Sequence, residues 1–505
     1  MIYIDPPYNT GKDFVYHDNF TTSTTEQIDE TRDDDGNRQF SVNTKENGRY
    51  HSDWLSMMYP RLILARNFLS DKGVIFISID DNEQANLKLL CDSVFGEDNF
   101  INQFMWLHGK GKKDSWSRTA QQYIVAYARN KSMLKPWSDV QLSQGSFSNP
   151  DNDPRGDWFS GSISFSEERS NKERDTYFTI ESPSGVKWTR QWQVANKAEM
   201  NSLLKDNRIY FGPAPNYSNV PRRKIFPFDE NEIIPSNILD NVGTTRGAQK
   251  DLGALLKGNV FDNPKPHALI EKLIAISNLS DSSTILDFFA GSGTTAQAVM
   301  QQNAKDGGYR QFILVQLPEQ CNEKSEAYKA GYKTIDELSR ERIRRAAKKI
   351  AAEDEHADQH DYGFRAMYID YANENDGIER TASQTNQTDI LNMANNIRNG
   401  RTPLDLLFGV LLQKGWNMDG QLTRLDINGN EVLAYDHIDG APGTGVVACF
   451  DHDINPDTVQ QIIDMAPQAA VFRDSSFKSS SDKINLVERF RTANSGGVTT
   501  GVWVI

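Results

Sequence analysis

Apolar positions run with two different periods along the first part of the chain. Met1-Ile2-Tyr3-Ile4 and Gly73-Val74-Ile75-Phe76-Ile77-Ser78-Ile79 are short, nearly unbroken apolar runs, the pattern of strands buried on both faces. Between them Leu55, Met58, Leu62, Ile63 and Phe68 recur at near-helical spacing and predict a helix over 52–70. Helix followed by buried strand is the rhythm of an α/β sheet, and 102–106 and 123–128 read as two further strands. From about 130 to 257 the texture changes. Pro, Gly, Ser, Asn and Trp accumulate, and short strand-like runs such as 176–180 and 208–212 predict an insertion with its own architecture. The α/β pattern then resumes. A helix carries Leu269, Ile270, Leu273 and Ile274, and a strand at 283–286 leads to a helix over 294–301. A strand at 312–317 runs out to Glu319, and a helix over 338–351 has Ile343, Ala347 and Ile350 as its apolar stripe. After a polar, acidic stretch come the apolar runs 404–408 and 410–412 and strand-like runs at 445–450, 469–472 and 498–504. The pattern divides the chain into 1–130 and 258–352 as halves of one core, 131–257 as an insertion, 353–388 as a linker and 389–505 as a final small α/β domain.

Two motifs follow apolar runs. Asp5-Pro6-Pro7-Tyr8 comes after the first strand, and Asp287-Phe288-Phe289-Ala290-Gly291-Ser292-Gly293-Thr294-Thr295 comes after the strand at 283–286. Both stand where strands end and ligands bind in an open α/β sheet. Two successive prolines fix φ and remove two donors, so the Asp5 carboxylate and the Pro6 carbonyl can face one ligand as fixed acceptors. An amino group donating two hydrogen bonds fits them, with Pro7 stiffening the turn and Tyr8 placed to stack; a plain rigid turn is the alternative for the tetrapeptide alone. The Gly-x-Gly turn is shared by ordinary tight turns, but here it opens a helix whose N–H groups form a positive field suited to an anionic ligand group. Asp287, Phe288, Ala290, Gly291, Ser292, Gly293, Thr294 and Thr295 are therefore candidate cofactor residues. Glu319, past the next strand, is a candidate partner for ribose hydroxyls. Asp80 and Asp81 stay open between ligand contact and capping of the following helix.

These residues resemble the amino-methyltransferases that use S-adenosylmethionine, in the order with the catalytic motif before the cofactor motif. The strings Ile4-Asp5-Pro6-Pro7-Tyr8-Asn9-Thr10-Gly11, Asn149-Pro150-Asp151-Asn152-Asp153-Pro154-Arg155-Gly156 and Phe472-Arg473-Asp474-Ser475-Ser476-Phe477 are similar to those of the modification subunit of Type III restriction-modification systems. The resemblance implies a circularly permuted, Rossmann-like methyltransferase core and reads the insertion as a target-recognition domain. It assigns the last domain to dimerisation and subunit contact, and makes Lys265 and Pro266 lining of the methionine end of the cofactor pocket. It further implies methyl transfer from S-adenosylmethionine, leaving S-adenosylhomocysteine, to the N6 amino group of a flipped adenine in double-stranded DNA, with no metal. A homodimer and a separate ATP-dependent restriction subunit are the implied partners. Adenine is preferred because the family's cytosine-N4 enzymes more often carry Ser at the position of Asp5; a cytosine-N4 enzyme is one alternative. Relatives carry a further segment before the Asp-Pro-Pro-Tyr motif, whereas four residues precede Asp5 here, so an inactive DNA-binding or assembly subunit is the other.

Composition modifies this in three places. The net charge is −14, which on its face disfavours a polyanionic partner, but much of the acid lies in tracts at 26–35 and 353–361. Basic residues gather elsewhere, interleaved with Trp106, Trp116 and Tyr123. Lys112, Lys113, Arg118, Arg222, Arg223, Lys224 and Arg246 are candidate DNA contacts, and the basic helix 338–351 reads as a solvated face. Cys91, Cys321 and Cys449 lie far apart without metal-ligand spacing and read as core thiols. No run approaches the roughly 18 apolar residues of a membrane span, and no basic signal region opens the chain, which predicts a cytoplasmic protein.

Overall fold

Ile2–Ile4 (β1) is buried on every side and lies inside a seven-stranded sheet. The other strands are Val74–Ile79 (β2), Phe100–Leu107 (β3), Gln121–Ala128 (β4), Ile238–Leu239 (β5), Thr284–Asp287 (β6) and Gln311–Leu314 (β7), in the order β5-β3-β4-β2-β1-β6-β7. The run β2-β1-β6-β7 is parallel, and β4 pairs antiparallel with both β2 and β3. Alternate residues of β1 enter different cores, as the period of two requires. Ile2 and Ile4 pack with Ile75, Ile77 and Ile79 against Trp54, Met58 and Leu62 of the helix Tyr50–Phe68 (α1) and Leu87 and Cys91 of Gln84–Phe95 (α2). Tyr3 and Phe76 face Leu269 and Leu273 of His267–Ile276 (α4), with Ala298 and Val299 of Thr294–Asp306 (α5). The sheet is thus covered by helices on both faces, a Rossmann-like α/β core. The coordinates are a computed structural model, which describes residues 1–11, 14–15, 41–42, 48–109, 116–142, 147–374, 397–477, 480–493 and 499–505.

Several expected boundaries move, each for a packing reason. In α1, Ile63 and Phe68 are exposed, and the buried face is Trp54, Met57, Met58, Leu62 and Ala65. β7 ends at Leu314, not 317, because β6 gives way to the glycine turn after Asp287, and Val315 and Gln316 bond to that turn. The segment 131–257 is not wholly an insertion. Ile238–Leu239 joins the main sheet beside β3, and Thr245–Leu256 (α3) buries Leu252 and Leu256 against Cys321 and Leu338. What lies between is a separate small core of Ile163, Ile180, Trp192, Met200 and Phe211, entered and left through the antiparallel pair Asp139–Leu142 and Glu230–Ile233. The first part of the expected linker also packs: Tyr362 and Phe364 lie against Ile343 and Ile350 of the helix Ile335–Glu353 (α6).

The chain divides into two compact units, 1–366 and 367–505. The second is an α/β unit with a five-stranded sheet in sequence order, Leu422–Ile427, Asn430–Tyr435, Val446–Cys449, Ala469–Phe472 and Gly501–Val504. The last three strands are parallel and lie between two apolar clusters, the first two of them fully buried. The expected strand at 498–504 is shorter, and Val498 lies outside the described residues. All three cysteines are buried free thiols. No described helix is long and apolar enough to cross a membrane.

Candidate active site

β1 and β6 are parallel neighbours with Ile2 opposite Leu286. Two motifs almost three hundred residues apart therefore leave the sheet side by side at its carboxyl edge, where ligands bind in such sheets. Asp5 stands at the end of β1. Its Oδ1 accepts a hydrogen bond from the Tyr8 hydroxyl at 2.8 Å, and its Oδ2 is 2.6 Å from Lys265 Nζ. That ammonium also lies 5.0 Å from the centroid of the Tyr8 ring and 5.9 Å from that of Trp106. Burial, with the Asp5 carboxylate beside it, pushes the Tyr8 hydroxyl well above the usual phenol range, so it is a donor at any working pH. The Pro7 carbonyl accepts from Trp54 Nε1 at 2.7 Å, which anchors the turn to α1.

Asn9 holds the next step of the loop. It has φ +58°, a left-handed conformation that Asn tolerates, and its buried amide donates to Glu83 Oε1 at 2.5 Å. Glu83 is itself buried and accepts from Asn86, with His51 Nδ1 at 2.6 Å. Sequence reading missed this clamp, whose one signal is the Asn directly after the tetrapeptide. Asp80, at the end of β2, accepts from the Asn82 backbone N–H and side chain, a turn-closing role close to the capping alternative. Asp81 is exposed.

The glycine turn is held from behind. Asp287 is buried, its Oδ1 accepting from the Phe289 N–H at 3.0 Å and its Oδ2 from the Thr295 hydroxyl at 2.5 Å. Burial raises its pKa to about 7 against these hydrogen bonds. Asp287 and Thr295, expected as cofactor contacts, are thus turned into the protein and brace the turn. Gly291 has φ +52° and Gly293 φ +78°; a Cβ on Gly293 would stand 2.7 Å from Ser339 Oγ, so only glycine fits there. Gly293 is the N-cap of α5 and offers no side-chain acceptor, which leaves first-turn N–H groups without a side-chain cap.

Two residues absent from the sequence expectations complete the turn. Gln316 Oε1 accepts from the Gly291 N–H at 2.7 Å. Arg342, on the helix read as solvated, is buried and donates through one terminal nitrogen to Ser292 Oγ and Thr294 Oγ1, each at 2.6 Å. That correction has a simple cause: α6 packs across α5, and Arg342 shares its face with Ile343 and Ala346. Phe288 packs half-buried against the core under β1, and Ala290 is buried. Glu319 lies half-buried in the loop five residues past β7, its carbonyl accepting from the Ile335 N–H. Lys265 reaches across to Asp5, and Pro266 is the N-cap of α4.

The expected DNA contacts separate. Lys224 is a correction: its side chain is fully buried, with Nζ 2.8 Å from Asp153 Oδ2 and paired with Asp151, and it cannot reach a phosphate. The string around Asn149–Gly156 is the other half of this clamp, since Arg155 also grips Asp153 and Trp158 Nε1 donates to Asp151. Arg222 and Arg223 are half-buried on the strand Arg222–Ile225, and Arg222 donates to Ser160. Arg118 and Arg246 are exposed; Lys112 and Lys113 lie outside the described residues.

Comparison with known proteins matches residues 1–326 to the family described as DNA methylase. The chain is 41% identical over 380 residues to the Type III restriction-modification enzyme StyLTI Mod subunit of Salmonella typhimurium, which covers 72% of this chain and 56% of that one. It is 35% identical over 410 residues to the EcoPI Mod subunit of Escherichia phage P1, covering 73% and 61% respectively. To the Type II methyltransferase M.KpnI of Klebsiella pneumoniae it is 30% identical over 377 residues, 68% of this chain and 80% of that one. The matches thus span 56% and 61% of the two Mod subunits.

Proposed function

Because the chain belongs to the DNA methylase family, we propose that it methylates the N6 amino group of adenine in double-stranded DNA, with S-adenosylmethionine as donor, as the modification subunit of a Type III restriction-modification system. The observation that carries this reading is the placement of the Asp5 carboxylate and the glycine turn side by side at the ends of parallel neighbours β1 and β6. The residues fit the cofactor: the turn admits only glycine at 293, and α5 begins without a side-chain cap where a carboxylate gains from N–H groups and the helix field. When bound, that cofactor supplies an activated methyl group.

The chain's own residues deal with the base. An adenine amino nitrogen is a poor nucleophile because its lone pair is delocalised into the ring, and inside a duplex it is out of reach, so the base is extruded into the site. Asp5 and the Pro6 carbonyl accept the two amino hydrogens, which fixes the nitrogen and favours a localised lone pair. Lys265 and the Tyr8 hydroxyl hold the two Asp5 oxygens in one orientation while Tyr8 offers its ring to the base. Arg118 and Arg246, both exposed, are assigned to phosphates, and the small core around Ile163, Ile180 and Trp192 to base reading. A separate ATP-dependent restriction subunit and a second copy of this chain are its partners in this reading.

Transfer of labelled methyl from S-adenosylmethionine to unmethylated DNA, compared with Asp5→Ala, tests the proposal. Label recovered as N6-methyladenine and lost in the variant supports it. Label in N4-methylcytosine overturns the choice of base, and no label from a folded, DNA-binding chain overturns the activity.

A further inference from the structure

Arg342 is the least expected charge in the molecule. It is 3% exposed, and no carboxylate among the described residues stands within ion-pair distance of it. Every hydrogen-bond partner is neutral: Ser292 Oγ and Thr294 Oγ1 at 2.6 Å each, and Gln297 Oε1 at 3.1 and 3.0 Å from Nε and the second terminal nitrogen. Burial lowers its pKa to about 9, which still leaves it charged near neutrality. A guanidinium buried without a counter-ion is strongly unfavourable. The acidic residue of the turn itself, Asp287, faces Phe289 and Thr295 instead.

The direction of its hydrogen bonds shows where a counter-ion would act. Arg342 has no acceptor, so Ser292 and Thr294 must receive from it with their lone pairs. The two hydroxyls also share a long hydrogen bond of 3.5 Å across Gly293, which occupies one of their two protons and leaves the other to donate elsewhere, at the uncapped start of α5. The buried charge, the hydroxyl pair it polarises and the helix N-terminus all favour negative charge at one place.

We propose that Arg342 is a positioning residue for the carboxylate at the amino-acid end of the cofactor, acting from behind the glycine turn through the hydroxyls of Ser292 and Thr294. The inference rests on the cofactor assignment above and makes the recognition of that carboxylate specific: the cation that selects it comes from α6, fifty residues beyond the turn.

Calorimetric titration of the full chain with S-adenosylhomocysteine and with its decarboxylated analogue, in which hydrogen replaces the carboxylate, tests this. Arg342→Met is expected to weaken S-adenosylhomocysteine binding by tenfold or more and the analogue by less than twofold; Arg342→Lys, which keeps the charge, restores part of the difference. Ser292→Ala, a small change that leaves Arg342 its other partners, is expected to show the same selective loss at several-fold size, and decides the question if Arg342→Met does not fold. Equal losses for both ligands in either variant would overturn the proposal and leave Arg342 as a brace of the turn. Failure of the unaltered chain to bind either ligand would instead overturn the cofactor assignment itself, and this inference with it.

Discussion

Asp287 gives the most quantitative test of how the turn is built. Its carboxyl is buried and accepts two hydrogen bonds, yet burial outweighs them and lifts its pKa from 3.8 to about 7. At about 1.4 kcal/mol per unit, that shift corresponds to about 4 kcal/mol of differential stability. The sign follows from linkage. Unfolded Asp releases its proton near pH 3.9, whereas the folded chain keeps it to about 7, so stability from this group is full below about 4 and is lost as pH rises to 7. In Asp287→Asn the amide oxygen can still accept from the Phe289 N–H, and the amide nitrogen can donate to the Thr295 hydroxyl, with no charge to desolvate. Hydrogen exchange over the turn and α5, corrected for the intrinsic pH dependence of exchange, reads the opening free energy. The variant should gain about 3 kcal/mol relative to the parent between pH 5 and pH 8. Identical pH dependence in the two proteins would mean that Asp287 is charged throughout, and that its hydrogen bonds, not its burial, dominate.

Lys265→Met removes the ion pair that orients Asp5, and a misplaced acceptor is expected to lower kcat by about 10²-fold with a smaller change in KM for DNA; an unchanged kcat would remove Lys265 from the site. Lys224→Met leaves the buried Asp153 with Arg155 and Asn207 as its partners and should destabilise the separate small core by about 3 kcal/mol in denaturant titrations. It should leave the salt dependence of DNA binding unchanged, whereas Arg118→Ala and Arg246→Ala should each reduce the slope by about 1. Gly293→Ala places a Cβ 2.7 Å from Ser339 Oγ at φ +78°; thermal unfolding should report a loss of about 2 kcal/mol or more, and calorimetry weaker S-adenosylhomocysteine binding.

The sheet was largely legible because two of its central strands, Ile2–Ile4 and Val74–Ile79, are nearly unbroken apolar runs that need no partner information to be recognised, and Thr284–Asp287 is marked by the glycine turn after it. The edges were not. Ile238–Leu239 is too short to stand out in a polar segment, and becomes a strand because β3 offers it an open ladder. Ile63 and Phe68 fit the helical period of α1 but face outward, since period alone does not say which arc of a wide apolar stripe meets the core.

The same division runs through the site. Local chemistry made some identities readable in the sequence: two prolines after Asp5, and a glycine turn that opens a helix. These depend on neighbours a few residues away, so they can be read in order along the chain. Which charge faces which partner emerges from packing alone. Packing put Lys265 on Asp5, turned Asp287 inward, buried Lys224 in a clamp and carried Arg342 from an apparently solvated helix to the glycine turn. A charged side chain is placed by the residues packed around it, and for Arg342, Lys224 and Lys265 those arrive from segments fifty to more than two hundred residues away. Nothing in a local pattern distinguishes a lysine that meets water from one that meets a buried carboxylate.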